Sequence, residues 1–342
     1  MKKVVTLEEA LGKPLAHDIT EVRPGEFKGA AFRKGHIVQP EDLDHLRRIG
    51  KEHLYIMEVE ADELHEDDAV TALADMLCGP GVFWEGEPRE GKMRLKAQHD
   101  GLLKINKEAL LRFNCLGDTI CGTRHNNTVV KQGDAVASTR AVPLTVKKDV
   151  LQTAAEICAQ EPAVVRVLPL KPVKAGVLIT GNEVYYGRIK DQFENVIRQK
   201  VENLGGSVLK VLFTPDDDIV IARSVNRLLR MGADIVITTG GMSVDPDDRT
   251  RHALQQAGAT EMVYGTGVQP GAMLLTAKIG AVPVISTPAC ALHSKVTAFD
   301  LVYPLLLAGE AVTRETLAEF SYGGLCLHCE TCNYPVCPFG KA

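Results

Sequence analysis

Four of the nine cysteines, Cys326, Cys329, Cys332 and Cys337, fall within the last seventeen residues. The run reads C-x2-C-x2-C-x4-C-P. It is one residue longer before the last cysteine than the C-x2-C-x2-C-x3-C-P run that holds iron–sulfur clusters. Structural zinc more often uses two C-x2-C pairs set roughly a dozen or more residues apart. The compact run therefore favours a 4Fe–4S cluster, with zinc and a metal-free redox tail as alternatives. His328 lies inside the run and reads as a bystander. Cys78, Cys115, Cys121, Cys158 and Cys290 are scattered.

A second set of residues recurs where short apolar runs end. Thr180-Gly181-Asn182-Glu183, Thr214-Pro215-Asp216-Asp217-Asp218, Thr239-Gly240-Gly241 and Thr287-Pro288 are each polar or flexible and each follow such a run. In an open α/β sheet, ligands bind beyond the carboxyl ends of the strands. Glycine there lets backbone N–H groups approach a phosphate, helped by the positive end of the next helix. The pattern predicts an anionic-ligand site. It is neither a G-x-G-x-x-G dinucleotide fingerprint nor a Walker A loop, because neither motif is present.

The elements that must position these residues follow from periodicity. Val177–Thr180, Val208–Phe213, Asp234–Thr238 and Val282–Ser286 read as buried parallel strands. Helical patterns alternate with them: Val196, Ile197, Val201 and Leu204, then Ile219, Ala222, Val225 and Leu229, then Arg249–Ala257, then an apolar helix from about Cys290 to Leu307. This alternation predicts an α/β fold with a doubly wound, mostly parallel sheet. Upstream, the pattern predicts a smaller N-terminal α+β region, with a helix over Glu41–Ile49 and a strand over His53–Val59. His65-Glu66-Asp67-Asp68 opens a further helix, where the charges are expected to complement the helix dipole on a solvated face. A Gly- and Pro-rich join over 79–91 leads to a β-rich middle part holding a short helix over Lys107–Phe113, turns near Asn126-Asn127 and Gln132-Gly133-Asp134, and a linker helix over Asp149–Gln160. Arg140, Lys147 and Lys148 read as plain surface. The expected divisions are 1–78, 79–172, 173–312 and a Cys-rich metal-binding tail over 313–342.

Composition narrows the function. Lys plus Arg number 39 against 44 for Asp plus Glu, a formal charge of −5, which argues against a generally basic nucleic-acid binder. Aromatic residues make up only 5%, too few to favour base-stacking platforms. No apolar run reaches the roughly 18–20 residues of a membrane helix. The opening MKKVVTLEEALGKP turns acidic before an apolar stretch can form, so no signal peptide is expected and a cytoplasmic location is.

Residues 173–308 resemble the molybdopterin-binding domain of the molybdenum-cofactor biosynthesis family, which includes molybdopterin adenylyltransferases and molybdotransferases. The resemblance rests on Thr180–Glu183, the turn Gly187-Arg188-Ile189-Lys190-Asp191, Asp216-Asp217 and the run TTGGMSVDPDD from Thr238 to Asp248. Gln269-Pro270-Gly271 is similar to the family's Pro-Gly loop. Within residues 1–60, FRKGHIVQPEDL and the Leu-Tyr-Ile strand look like parts of the molybdotransferase's accessory domains. The resemblance implies that Thr180, Gly181, Asn182, Thr239, Gly240, Gly241, Met242 and Ser243 hold the pterin or its phosphate, together with Pro270, Gly271 and Pro288. It implies catalytic roles for Glu183, Asp216 and Asp248, three carboxylates around a polyanionic substrate, which require a cation such as Mg²⁺ between them. Metal-assisted nucleotide release would then free the dithiolene for molybdate. The implied ligands are molybdopterin or its adenylylated form and molybdate; a recipient molybdoenzyme and a homo-oligomer are the further partners in view.

Two departures weigh on this expectation. Thr287-Pro288-Ala289-Cys290-Ala291 stands where the family has Pro-Gly-Asn-Pro, and Asn182 stands where many relatives have Asp. They favour the alternative of a non-catalytic carrier that delivers the pterin, whereas the acidic trio favours the enzyme, which remains the leading expectation. A nucleotide pyrophosphatase sharing this domain would need no cysteine tail.

Overall fold

The computed structural model describes residues 3–56, 59–242 and 249–341. Met57, Glu58 and the segment 243–248, which includes Ser243 and Asp248, lie outside the described residues. Two compact units form. One comprises 1–98, 105–124 and 132–166, and the other 99–104, 125–131 and 167–342.

The second unit is built on a six-stranded sheet in the order Ser207–Thr214, Lys174–Thr180, Ile235–Thr239, Val282–Thr287, Leu275–Ile279, Thr260–Tyr264. The first four strands are parallel and the last two antiparallel. The three inner parallel strands are buried and mostly apolar, because each face carries helices. Val177, Ile179, Ile235, Ile237 and Ile285 meet Ile197 and Val201 of helix Phe193–Glu202 and Phe299 and Val302 of helix Ala298–Leu307. The alternate residues Leu178, Val236 and Val284 meet Ile221, Val225 and Leu228 of helix Asp218–Arg230 and Leu254 of helix Thr250–Gln256. The expected doubly wound α/β sheet is therefore present.

One expected helix is shorter. The apolar pattern from Cys290 forms a single 3-10 turn over Ala289–Leu292, and the helix starts only at Ala298. Thr297 and Asp300 set that start as a capping box: the Thr297 Oγ1 accepts from the Phe299 N–H at 3.2 Å and Asp300 Oδ2 from the Thr297 N–H at 2.7 Å.

In the first unit, strands Val82–Trp84, Lys92–Ala97, Ala135–Ala141 and Thr119–Thr123 form an antiparallel sheet in that order. The helix Glu66–Leu77 buries Val70, Leu73, Ala74 and Leu77, the apolar stripe read from sequence. The first 56 residues gather their own core from Leu7, Leu15, Ile19, Leu46 and Leu54. The solvated face expected at 65–68 is only half observed. His65 and Glu66 are each 5% exposed, because the chain around Ala16 and Gly91 covers them.

Candidate functional site

All four parallel strands end on threonine: Thr180, Thr214, Thr239 and Thr287, every one buried. Thr180 sits opposite Thr214, and Thr239 opposite Thr287. The Thr180 hydroxyl donates to the Thr239 carbonyl at 3.0 Å. Among the described residues the hydroxyls of Thr214, Thr239 and Thr287 have no hydrogen-bond partner. A buried polar group left unpaired costs about 1–3 kcal/mol. Three such hydroxyls on one sheet edge give that edge the capacity to bond a polar ligand.

The loops leaving these strands are joined to one another. The Asn182 N–H donates to Asp216 Oδ2 at 2.9 Å, and the Asp216 N–H donates to Asn182 Oδ1 at 3.3 Å. Next to it, Asp217 caps the following helix, accepting from the N–H groups of Ile219 and Val220 at 3.0 and 2.9 Å. Glu183 is exposed in the short helix Asn182–Tyr185. Among the described residues no three His, Cys, Asp or Glu side chains gather to hold a metal ion. Glu183 and Asp216 thus do not make a cation site among the described residues.

Gly240 and Gly241 serve the fold directly. Both have left-handed backbones, with φ of 82° and 59°. A Cβ on Gly240 would lie 2.8 Å from the Thr180 carbonyl oxygen, and one on Gly241 would lie 2.5 Å from Thr250 Oγ1. Thr250, fully buried, donates to the Gly240 carbonyl at 3.0 Å and so pins the turn. Sequence reasoning missed Thr250, since a threonine near a helix start carries no distinguishing signal. Met242 is buried, and its carbonyl accepts the Tyr264 hydroxyl at 2.5 Å.

The structure therefore brings Thr180, Gly181, Asn182, Asp216, Thr239, Gly240 and Gly241 to one edge through shared contacts. Pro270 and Gly271 are held against the start of helix Ala298–Leu307, where the Ala298 N–H donates to the Pro270 carbonyl at 3.0 Å. Pro288 opens the 3-10 turn, and burial raises the Cys290 thiol above its ordinary range.

The tail is tied to this same unit. Leu317, Phe320 and Phe339 enter the core of the sheet domain. The Cys326 N–H donates to the Gln269 carbonyl at 2.8 Å, and the Gln269 N–H to the Gly324 carbonyl at 2.7 Å. Cys326, Cys329, Cys332 and Cys337 all line one cavity of about 350 Å³, with His293 and His328 on its wall. All four are free thiols; Cys326 and Cys337 are half-buried, and Cys329 and Cys332 are exposed. The donor set suits a thiophilic metal, although the thiols are not drawn together into a coordinating group.

The fold and site define a class. Residues 176–308 match the family model described as "Probable molybdopterin binding domain", which bears out the resemblance read from the strand-end loops. Residues 4–58 match a model described as a domain of unknown function. The chain is 35% identical over 85 residues to a CinA-like protein of Syntrophus aciditrophicus, covering 25% of this chain and 20% of that one. It is 24% identical over 209 residues to a molybdopterin molybdenumtransferase of Haemophilus influenzae, covering 59% of this chain and 49% of that one. The chain thus spans from a fifth to about half of the length of these curated relatives. Among solved structures it is similar to the molybdopterin biosynthesis enzyme MoaB of Thermus thermophilus, at 20% identity and a TM-score of 0.35. That likeness covers 40% of this chain and 98% of that one. Among the described residues no helix is long and apolar enough to cross a membrane.

Proposed function

We propose that this chain binds molybdopterin, free or adenylylated, at the carboxyl edge of its six-stranded sheet and serves in molybdenum cofactor biosynthesis. The observation that carries the reading is the family match of residues 176–308, on a sheet whose four parallel strands all end on buried threonines. In this reading the phosphate lies against the Gly240–Gly241 turn, and the orphaned hydroxyls of Thr214, Thr239 and Thr287 meet polar atoms of the pterin. The finer activity is a molybdotransferase-like one: nucleotide release from the adenylylated pterin, with molybdate as the second substrate. A second reading is a carrier that passes the pterin to a molybdoenzyme. It is favoured by the bond from the Asn182 N–H to Asp216 Oδ2, which occupies one oxygen of that carboxylate. We further infer that the cysteine tail holds a thiolate-bound iron–sulfur cluster or zinc.

The test uses full-length chain purified without oxygen. Native mass spectrometry should find the pterin bound one to one. Incubation with adenylylated molybdopterin, Mg²⁺ and molybdate should release AMP. Binding without AMP release selects the carrier; absence of pterin binding overturns both readings.

A further inference from the structure

The cysteine cavity and the sheet edge lie on the same side of the sheet. Side chains alternate along a strand, so Thr239 and Thr287 share the face of Ile237 and Ile285. Ile237 and Ile285 belong to the core that takes in Ala291 of the 3-10 turn and Leu317, Phe320 and Phe339 near the chain end. Cys326 and Cys337 pack against that core. Two of the three unpartnered hydroxyls at the sheet edge, those of Thr239 and Thr287, therefore stand on the face against which the tail packs.

Two connections join the two places. The first leaves Thr287 through Pro288 and the turn Ala289–Leu292, and its continuation, residues 293–296, lines the cavity that all four tail cysteines line. The His293 and Ser294 N–H groups tie its near end, donating to the Cys290 carbonyl at 3.1 and 3.0 Å. Lys200 Nζ ties its far end, donating to the Lys295 carbonyl at 2.9 Å and pairing with Asp300 at 2.5 Å. The second connection is Gln269-Pro270-Gly271. Gln269 is bonded through its backbone to Gly324 and Cys326, and Pro270 lines the same cavity while its carbonyl accepts the Ala298 N–H. Gly271 has φ of 116°, and a Cβ there would lie 2.6 Å from the Ala298 nitrogen, so this connection has no slack. Pro270, Gly271 and Pro288, which the pterin reading places at the ligand, thus belong to the two segments that wall the cysteine cavity.

Filling the cavity must act on this wall. Cys326 and Cys337 are half-buried, Cys329 and Cys332 are exposed, and the four are not gathered around one point. Zinc holds thiolate sulfurs at about 2.3 Å. Gathering the thiols that closely draws the stretch 327–332 onto the cavity and fixes residues 293–296 and Pro270 against it. A wall ordered in advance has less freedom to lose when a second ligand binds, and that ligand then binds more tightly.

We propose that the tail centre and the sheet edge are linked sites: a thiophilic metal held by the four cysteines tightens pterin binding through residues 288–296 and 269–271. The linkage rests on the pterin reading of the sheet edge and on the thiolate centre. Full-length chain is prepared without oxygen, with and without zinc, and freed of unbound metal. Hydrogen exchange across residues 288–297, read by mass spectrometry with no pterin present, should slow on zinc loading. Molybdopterin affinity, measured by calorimetry, should rise at least about fivefold, and by reciprocity the pterin should raise zinc affinity by the same factor. C329S/C332S exposed to the same zinc should show neither change, which excludes an effect of zinc carried on the pterin's own dithiolene. Unchanged exchange, or equal pterin affinity with zinc fully loaded, would overturn the linkage and leave the pterin site standing. Failure to take up zinc, or a full response in C329S/C332S, would overturn it as well. Slowed exchange with no pterin bound in either form would overturn the pterin reading, and the linkage with it, while leaving the metal's effect on the wall.

Discussion

Asn182 and Asp216 hold each other by two backbone-to-side-chain hydrogen bonds, 2.9 and 3.3 Å long, across the ends of adjacent parallel strands. An amide is the residue that fits this arrangement without charge conflict. Replacing it by aspartate would put a second carboxylate on the same pair of bonded loop ends, and neighbouring like charges disfavour joint ionisation. N182D should therefore lower stability by about 1 kcal/mol at pH 7, where both groups are ionised. The loss should shrink below about pH 4, as the pair takes up protons. Urea unfolding at the two pH values checks this; an equal loss at both would show that the charge conflict is absent.

The clash distance between Gly241 and Thr250 gives a second prediction. A methyl at Gly241 would lie 2.5 Å from Thr250 Oγ1, on a backbone with φ of 59°. G241A should cost about 2–3 kcal/mol, combining left-handed strain with the steric contact. In a T250A background the added cost should fall to about 1 kcal/mol, the strain alone. A double-mutant cycle by chemical denaturation measures the difference. If G241A cost the same in both backgrounds, the glycine would be required for backbone conformation only.

Much of the sheet domain was legible because its signals are local. Buried parallel strands read as continuous apolar runs, and the Thr180, Thr214, Thr239 and Thr287 ends stand directly after them. What escaped depends on contacts distant in sequence. The antiparallel strands Leu275–Ile279 and Thr260–Tyr264 complete the sheet, but LTAKI and TEMVY lack a clean alternation. The apolar stretch after Cys290 reads as helix throughout, while the capping box at Thr297 and Asp300 moves its start by about two turns. The short segments 99–104 and 125–131 join the second unit through pairing with each other and with strand Val165–Pro169. Nothing local marks that. At the site, the glycines of the TTGG run were legible as special, but their use against Thr180 and Thr250 was not. His65 and Glu66 look like an ordinary charged helix start, and only the folded chain shows them covered.

Glu66 makes stability of the first unit depend on pH. Its carboxyl is raised from 4.5 to about 7, so the folded state holds the proton more tightly than the unfolded one. Stability is then fully present below about pH 4.5 and is lost as pH climbs through about 7. E66Q keeps the shape and removes the titration. It should match the wild type at pH 4.5 and exceed it by up to about 3 kcal/mol at pH 8. Unfolding followed by the fluorescence of Trp84, the single tryptophan and a residue of this unit, reads the effect. A stability difference that does not change between the two pH values would mean the Glu66 carboxyl titrates normally.

The tail should separate metal binding from folding. Its anchors are Leu317, Phe320 and Phe339 in the sheet-domain core, together with the backbone bonds between Gln269, Gly324 and Cys326. Of the four thiols, Cys326 and Cys337 pack against that core, and Cys329 and Cys332 do not. Cys329 and Cys332 are exposed, and their sulfurs make no contact on which the sheet depends. Chain isolated without oxygen should carry one thiolate-bound centre, iron or zinc by elemental analysis. Iron in a cluster would add a visible absorption band that bleaches in air. C329S/C332S should abolish the metal while leaving the unfolding free energy of the sheet domain within about 0.5 kcal/mol of the metal-free wild type, because both side chains are exposed. F339A should do the opposite. It removes a buried ring, costs about 3 kcal/mol or more, and loosens the segment that carries Cys337. Absence of iron and zinc from the anaerobic protein would leave the four cysteines as a metal-free tail, and equal metal content in C329S/C332S would mean that the bound metal lies elsewhere.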